Sequence, residues 1–164
     1  MIICVLSTII EAMKDYLLQF LTNHILMAAI LGWAVAQGSK IIYESIRYGF
    51  SAERLSGGGG MPSAHSATVT ALTTAALLTY GPGSFAFPIA LFFSIIVIYD
   101  ARNVRYETGR EAAALNKLRE EQIARGEEPM YAKPLAEKMG HTVPEIIVGI
   151  IIGIVCGALI CILI

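Results

Sequence analysis

Residues 62–99 read PSAHSATVTALTTAALLTYGPGSFAFPIALFFSIIVIY, 38 residues without one Asp, Glu, Lys or Arg. A helix crosses the hydrocarbon of a bilayer with about 20 apolar residues, so this stretch is long enough to cross twice. It is interrupted once, at Tyr80-Gly81-Pro82-Gly83, a turn signal that folds it into a helical hairpin. Two further charge-free stretches flank it, residues 16–39 and 146–164. Across all 164 residues, 55% are hydrophobic and 15% charged, and the mean hydropathy is +0.64. A soluble domain carries about a quarter of charged residues, so an ordinary water-soluble globule is excluded. The net charge of −1 excludes the basic excess that a nucleic-acid partner would require.

Working outward, the sequence predicts an all-α integral membrane bundle of four main transmembrane helices in one domain spanning residues 1–164. The helices fall at about 24–46, 62–80, 85–104 and 143–164. Pro62 is expected to open the second of them, where its missing N–H is harmless. Residues 106–125 alternate charged and apolar positions and predict an amphipathic helix lying on the membrane surface. Gly126-Glu127-Glu128-Pro129 stops it, and a short helical turn is expected from Pro134 to Met139, closed by Gly140. Residues 1–22 lack the basic leader and small cleavage-site residues of a secretory signal. They read as an interfacial or partly inserted helix. Cys4, Cys156 and Cys161 all lie in apolar surroundings and form neither a disulfide framework nor a zinc spacing.

Connectivity then places chemistry on one side. The first helix ends at Lys40, Glu44 and Arg47, the second begins with Ser63 and His65, the third ends at Asp100, Arg102 and Arg105, and the fourth begins with His141 and Glu145. The run Gly57-Gly58-Gly59-Gly60 joins the same end. Ionisable groups near a membrane core are costly unless paired or functional. Free N–H groups at helix starts, Arg and Lys side chains, and glycines that admit close backbone approach together suit a tetrahedral phosphate. Two histidines can divide nucleophile and acid work. Bland readings stand beside these: Ser63 as a helix cap, Thr142-x-x-Glu145 as a capping box, the glycine run as a plain loop, His24 as a structural histidine, and Arg102, Arg110, Arg119 and Arg125 as headgroup contacts or a solvated face.

Lys40-x6-Arg47, Pro62-Ser63-Ala64-His65 and His141-x3-Glu145 resemble the three-part signature of the type 2 phosphatidic acid phosphatases and vanadium haloperoxidases, which reads K-x6-R-P, P-S-G-H and S-R-x5-H-x3-D. The closer resemblance is to a divergent branch of that superfamily found in bacteria and plants, carried by residues 59–66, Tyr99-Asp100-Ala101 with Val104-Arg105, and residues 140–145. Tyr48 stands in place of the first motif's proline, Ala64 in place of the second's glycine, and Glu145 in place of the third's Asp. The third motif is split, with Arg105 lying 36 residues before His141.

The resemblance implies a phosphatase acting on a phosphomonoester or pyrophosphate of a membrane lipid. In it His141 is the nucleophile, Glu145 orients its ring, and His65 protonates the leaving alkoxide. Lys40, Arg47 or Arg54, Ser63, Arg105 and the Gly60 backbone hold the phosphate, with Asp100 in support. No metal or other cofactor is implied. The alternative is a non-catalytic carrier or sensor of a lipid phosphate. The expected partners are the lipid phosphate and the membrane, a chain of this size suits a homodimer, and the expected place is the inner membrane with the site facing the cytoplasm.

Overall fold

The structure is a computed structural model that describes residues 2–49 and 59–163, and every described element is helical. Helix α1 spans Ile2–Leu21, α2 His24–Tyr48, α3 Ala64–Tyr80, α4 Ala86–Tyr99, α5 Arg105–Ala124 and α6 Val143–Leu163. Local chemistry sets the boundaries. The Asn23 side chain accepts from the N–H groups of Ile25 and Leu26 to start α2, and Ser63 caps α3 by accepting from Ser66 N–H. Pro62 therefore precedes the cap and does not itself open the helix. Between α3 and α4 the Ser84 hydroxyl donates to Gly81 O and accepts from Phe87 N–H.

Helix α3 is the centre of the bundle, packed by α2, α4 and α6. Its 17 residues span about 26 Å. Three helices among the described residues are long and apolar enough to cross a membrane: 24 residues from His24 to Arg47, 39 from Ala86 to Ala124, and 21 from Val143 to Leu163. Their outward faces are large and apolar, with Phe92, Ile96, Ile151 and Ile162 exposed. The interior is made of small residues: Ala67, Ala71, Ala75 and Ala76 are buried. In lipid, helices gain little from hiding large apolar side chains from their neighbours, and small residues that admit close backbone approach hold the bundle instead. Gly149, Gly153 and Gly157 of α6 and Gly32 of α2 face α3 so closely that a Cβ would meet the carbonyls of Ser63, Ala67 and Ala71 at 2.5–2.9 Å. On the other side of α3, Thr73 and Ser94 hydroxyls lie 2.6 Å apart and tie α3 to α4.

Two further features differ from expectation. The third membrane helix and the amphipathic segment are one unbroken helix, α4 passing into α5 through a π-helical turn at Asp100–Val104. Its 39 residues correspond to about 58 Å. Residues 134–139 form no helix. The backbone there and just before it is captured from outside: Asn116 of α5 donates to Leu135 O and accepts from Leu135 N–H, and Arg119 donates to the carbonyls of Tyr131 and Ala132. An extended strap over Gly109, Ala112 and Asn116 results.

Candidate functional site

The strap ends at Gly140, which has φ +73° and lies so close to the backbone of Arg105 and Tyr106 that a Cβ would clash with Tyr106 N. Only glycine suits that position. The next residue is thereby pinned to the end of α4: His141 N–H donates to Ala101 O at 2.9 Å. The 36-position separation of Arg105 and His141 is closed into a contact, and the two parts of the split third motif are neighbours in space.

The π turn has its own consequence. In an α-helix, residues five apart point in different directions, whereas a π turn bonds residue i+5 back to residue i. Arg105 N–H accordingly bonds Asp100 O, and its side-chain Nε reaches Asp100 Oδ2 at 2.7 Å. The guanidinium is held at the π turn, where its charge acts on His65, whose ring lies 5.9 Å from that of His141 and is inclined to it at 64°. Arg105, His141, Asp100 and Lys40 are the charged and titratable groups that act on His65. His65 Nδ1 is buried without a hydrogen-bond partner among the described residues.

His141, 3% exposed, places Nδ1 3.2 Å from Glu145 Oε2. The same carboxylate oxygen accepts Thr142 N–H at 3.0 Å, so the orienting contact and the capping box are both present in one group. The Glu145 carbonyl accepts Ser63 N–H at 3.0 Å, which locks the start of α3 onto α6. Burial lowers the His141 pKa below the ordinary imidazole value, and the Lys40 charge acts the same way; the hydrogen bond and charge of Glu145 and a backbone hydrogen bond at Gly60 act in the opposite direction. Ser63 is fully buried, and its Oγ accepts from Ser66 Oγ at 3.0 Å.

Lys40, Gly60, Ser63, His65, Asp100, Arg105, His141 and Glu145 are thus gathered at one end of the bundle. Arg47 is not among them: it is exposed, with its guanidinium 5.7 Å from the Tyr43 ring and hydrogen-bonded to the Tyr43 hydroxyl. Arg54 lies outside the described residues, as do Gly57 and Gly58. Two residues enter that the sequence reading did not select. Glu44, 7% exposed, sits under Gly60, whose Cβ would meet Glu44 Oε1 at 2.5 Å, and Lys138 of the strap pairs with it at 3.5 Å. Glu44, Lys138 and Glu145 are the charges around Lys40. Lys40 and Glu44 stand one turn apart at the polar end of an apolar helix, and that spacing was the available signal for Glu44. Nothing in the local sequence points to Lys138, because its partner comes from another helix.

Apolar spans with a polar cluster at one end define an integral membrane helical protein. The chain belongs to the Divergent PAP2 family, whose profile matches residues 21–156. A relative in Bacillus subtilis (strain 168), described as the uncharacterized membrane protein YuiD, is 31% identical over 147 residues, covering 84% of this chain and 93% of the relative. No solved structure matches.

Proposed function

We propose that the protein hydrolyses a phosphomonoester or pyrophosphate of a membrane lipid through a phosphohistidine at His141. The observation that carries this reading is the pairing of a buried, carboxylate-held His141 with a second histidine 5.9 Å away, beside Arg105 and Lys40. With Nδ1 turned to Glu145, Nε2 is the nitrogen that attacks phosphorus, and burial favours the unprotonated ring that attack requires. As the P–O bond breaks, His65 gives a proton to the leaving oxygen, while Arg105 and Lys40 neutralise the equatorial oxygens. Water then cleaves the P–N bond and restores His141. Membership in a phosphatase-like family supports the reaction class.

A second reading is favoured by one observation. His141 has two acceptors, the Glu145 carboxylate and the Gly60 backbone, an arrangement that also suits a ring fixed in place around a bound lipid phosphate without turnover.

Phosphate release by the purified protein from phosphatidate, phosphatidylglycerophosphate and polyprenyl phosphates and pyrophosphates tests the first reading. Release from at least one is expected, with a loss of about 10²-fold or more in His141→Ala. Undiminished release in that variant would remove the covalent step, and saturable binding with no release from any substrate would establish the carrier reading.

A further inference from the structure

Helices α4 and α6 are each packed on α3, and between them lies a groove of about 380 Å³. Ile95, Ile98 and Tyr99 line it from α4, Val143 and Ile146 from α6, and Arg102 stands at its rim. Its position along the bundle is fixed by the site. Val143 and Ile146 bracket Glu145 in the first turn of α6, Tyr99 and Arg102 bracket Asp100 and Ala101, and Ala101 O accepts His141 N–H at 2.9 Å. The groove therefore begins where the polar cluster ends and runs towards the apolar faces of two membrane helices.

Arg102 gives the groove a polarity. It is half-buried, its guanidinium lies 5.1 Å from the Tyr106 ring centre, and it makes no ion pair with a carboxylate among the described residues. A guanidinium carries five N–H donors, and a ring face satisfies few of them. A cation at the edge of an apolar slot, with no ion-pair partner among the described residues, is complementary to an anion that arrives with an apolar tail. A transmembrane helix, about 10–12 Å across, is too thick to seat in a groove of this volume, whereas a hydrocarbon chain is thin enough.

We propose that the groove between α4 and α6 holds the hydrocarbon chain of a lipid phosphate, with Arg102 selecting an anionic headgroup, an inference that rests on the phosphate chemistry assigned above to His65 and His141. The chain enters sideways from the bilayer, and the phosphate meets the histidines without leaving the interfacial layer. Ile98→Trp narrows the groove, and Arg102→Gln removes the charge.

The kinetic test compares kcat/KM for a long-chain phosphatidate with that for a water-soluble dibutyryl phosphatidate. The long-chain to short-chain ratio is expected to fall about tenfold or more in Ile98→Trp, the loss of chain burial that this corresponds to, and Arg102→Gln is expected to raise KM more than it lowers kcat. An unchanged ratio in Ile98→Trp would overturn the groove. A second readout does not need turnover: Tyr99→Trp in a Trp33→Phe background, in vesicles with brominated chains. Stronger quenching by brominated phosphatidate than by brominated phosphatidylcholine at equal mole fraction is expected, with the difference abolished by Arg102→Gln. Equal quenching by the two lipids would overturn the headgroup selection. If the wild type releases phosphate from neither substrate, the hydrolase reading fails, and the quenching alone decides the groove. Quenching relieved by raising protein density in the vesicle, at fixed lipid, would assign the groove to a second copy of the chain.

Discussion

The Glu145 carboxylate touches both the His141 ring and the Thr142 N–H, so one side chain serves helix start and site together. The sign of its effect is testable. Burial lowers the His141 pKa, and Glu145 opposes that through its hydrogen bond and charge. The acid limb of kcat/KM therefore lies below the ordinary histidine value of about 6.5, because the ring stays unprotonated to lower pH. Glu145→Gln removes the largest opposing cause, so the limb should move further towards acid while kcat drops from the loss of orientation. A pH–rate profile of the variant checks this, and a limb displaced towards neutral pH would show that Glu145 does not act on His141 in turnover. Vanadate competes with substrate on the same reading, because its trigonal oxygens meet the same cations as the transferring phosphoryl group. Chelation should leave turnover unchanged, since the charges used in the proposed step are Lys and Arg side chains; a loss restored by Mg²⁺ would assign Asp100 and Glu145 to a metal.

At the scale of the element, small residues decide. Gly149, Gly153 and Gly157 recur every fourth residue of α6 and press on α3, with Ala67 O only 2.6 Å from a Cβ built at Gly153. That obstacle is backbone, which cannot swing aside, so Gly153→Ala should destabilise the protein by about 1–3 kcal/mol. Gly38 of α2 has open space around it, and Gly38→Ala should be neutral or stabilising by about 0.5–1 kcal/mol, the helix preference alone. Thermal unfolding in detergent separates the two, and equal effects would show that the glycine face does not carry the α3–α6 contact. The helices themselves were legible because stretches free of charge, closed by Gly81 or opened by Ser63 and Ser84, are local signals. The strap at 134–139 was not, because Pro134 and Gly140 read locally as a helical turn while Asn116, far earlier in the chain, takes the Leu135 carbonyl that the turn would need, and Arg119 holds the backbone just ahead of it at Ala132. The π turn was equally hidden, since nothing in Asp100-Ala101-Arg102-Asn103-Val104 breaks an α-helical pattern.

Across the whole molecule the chain folds its chemistry to one end. Lys40, Ser63, Asp100 and His141 could be placed there from connectivity alone, since each stands where an apolar run meets a polar one. Their mutual geometry could not be, because the Ala101–His141 and Ser63–Glu145 backbone bonds join segments far apart in sequence. The same concentration governs sidedness. Of the 12 Lys and Arg, all but Lys14 lie on the motif side, and none lies in the turn at residues 81–85. Setting aside Lys40, Arg47, Arg54 and Arg105, the four cations that the motifs select, still leaves seven against none. Positive residues in short loops are retained in the cytoplasm, so the site and the strap are expected on the cytoplasmic side, with an inner-leaflet lipid, or one whose headgroup is made in the cytosol, as the expected substrate. The side chains also choose the probes. Ser84 is a poor position for a label because its hydroxyl caps α4, whereas Gly83 has open space and Glu127 is exposed. In a background without the three native cysteines, Gly83→Cys should react with a membrane-impermeant maleimide in whole cells, and Glu127→Cys should react only after permeabilisation. The reverse pattern would place the polar end outside and move the substrate to the outer leaflet.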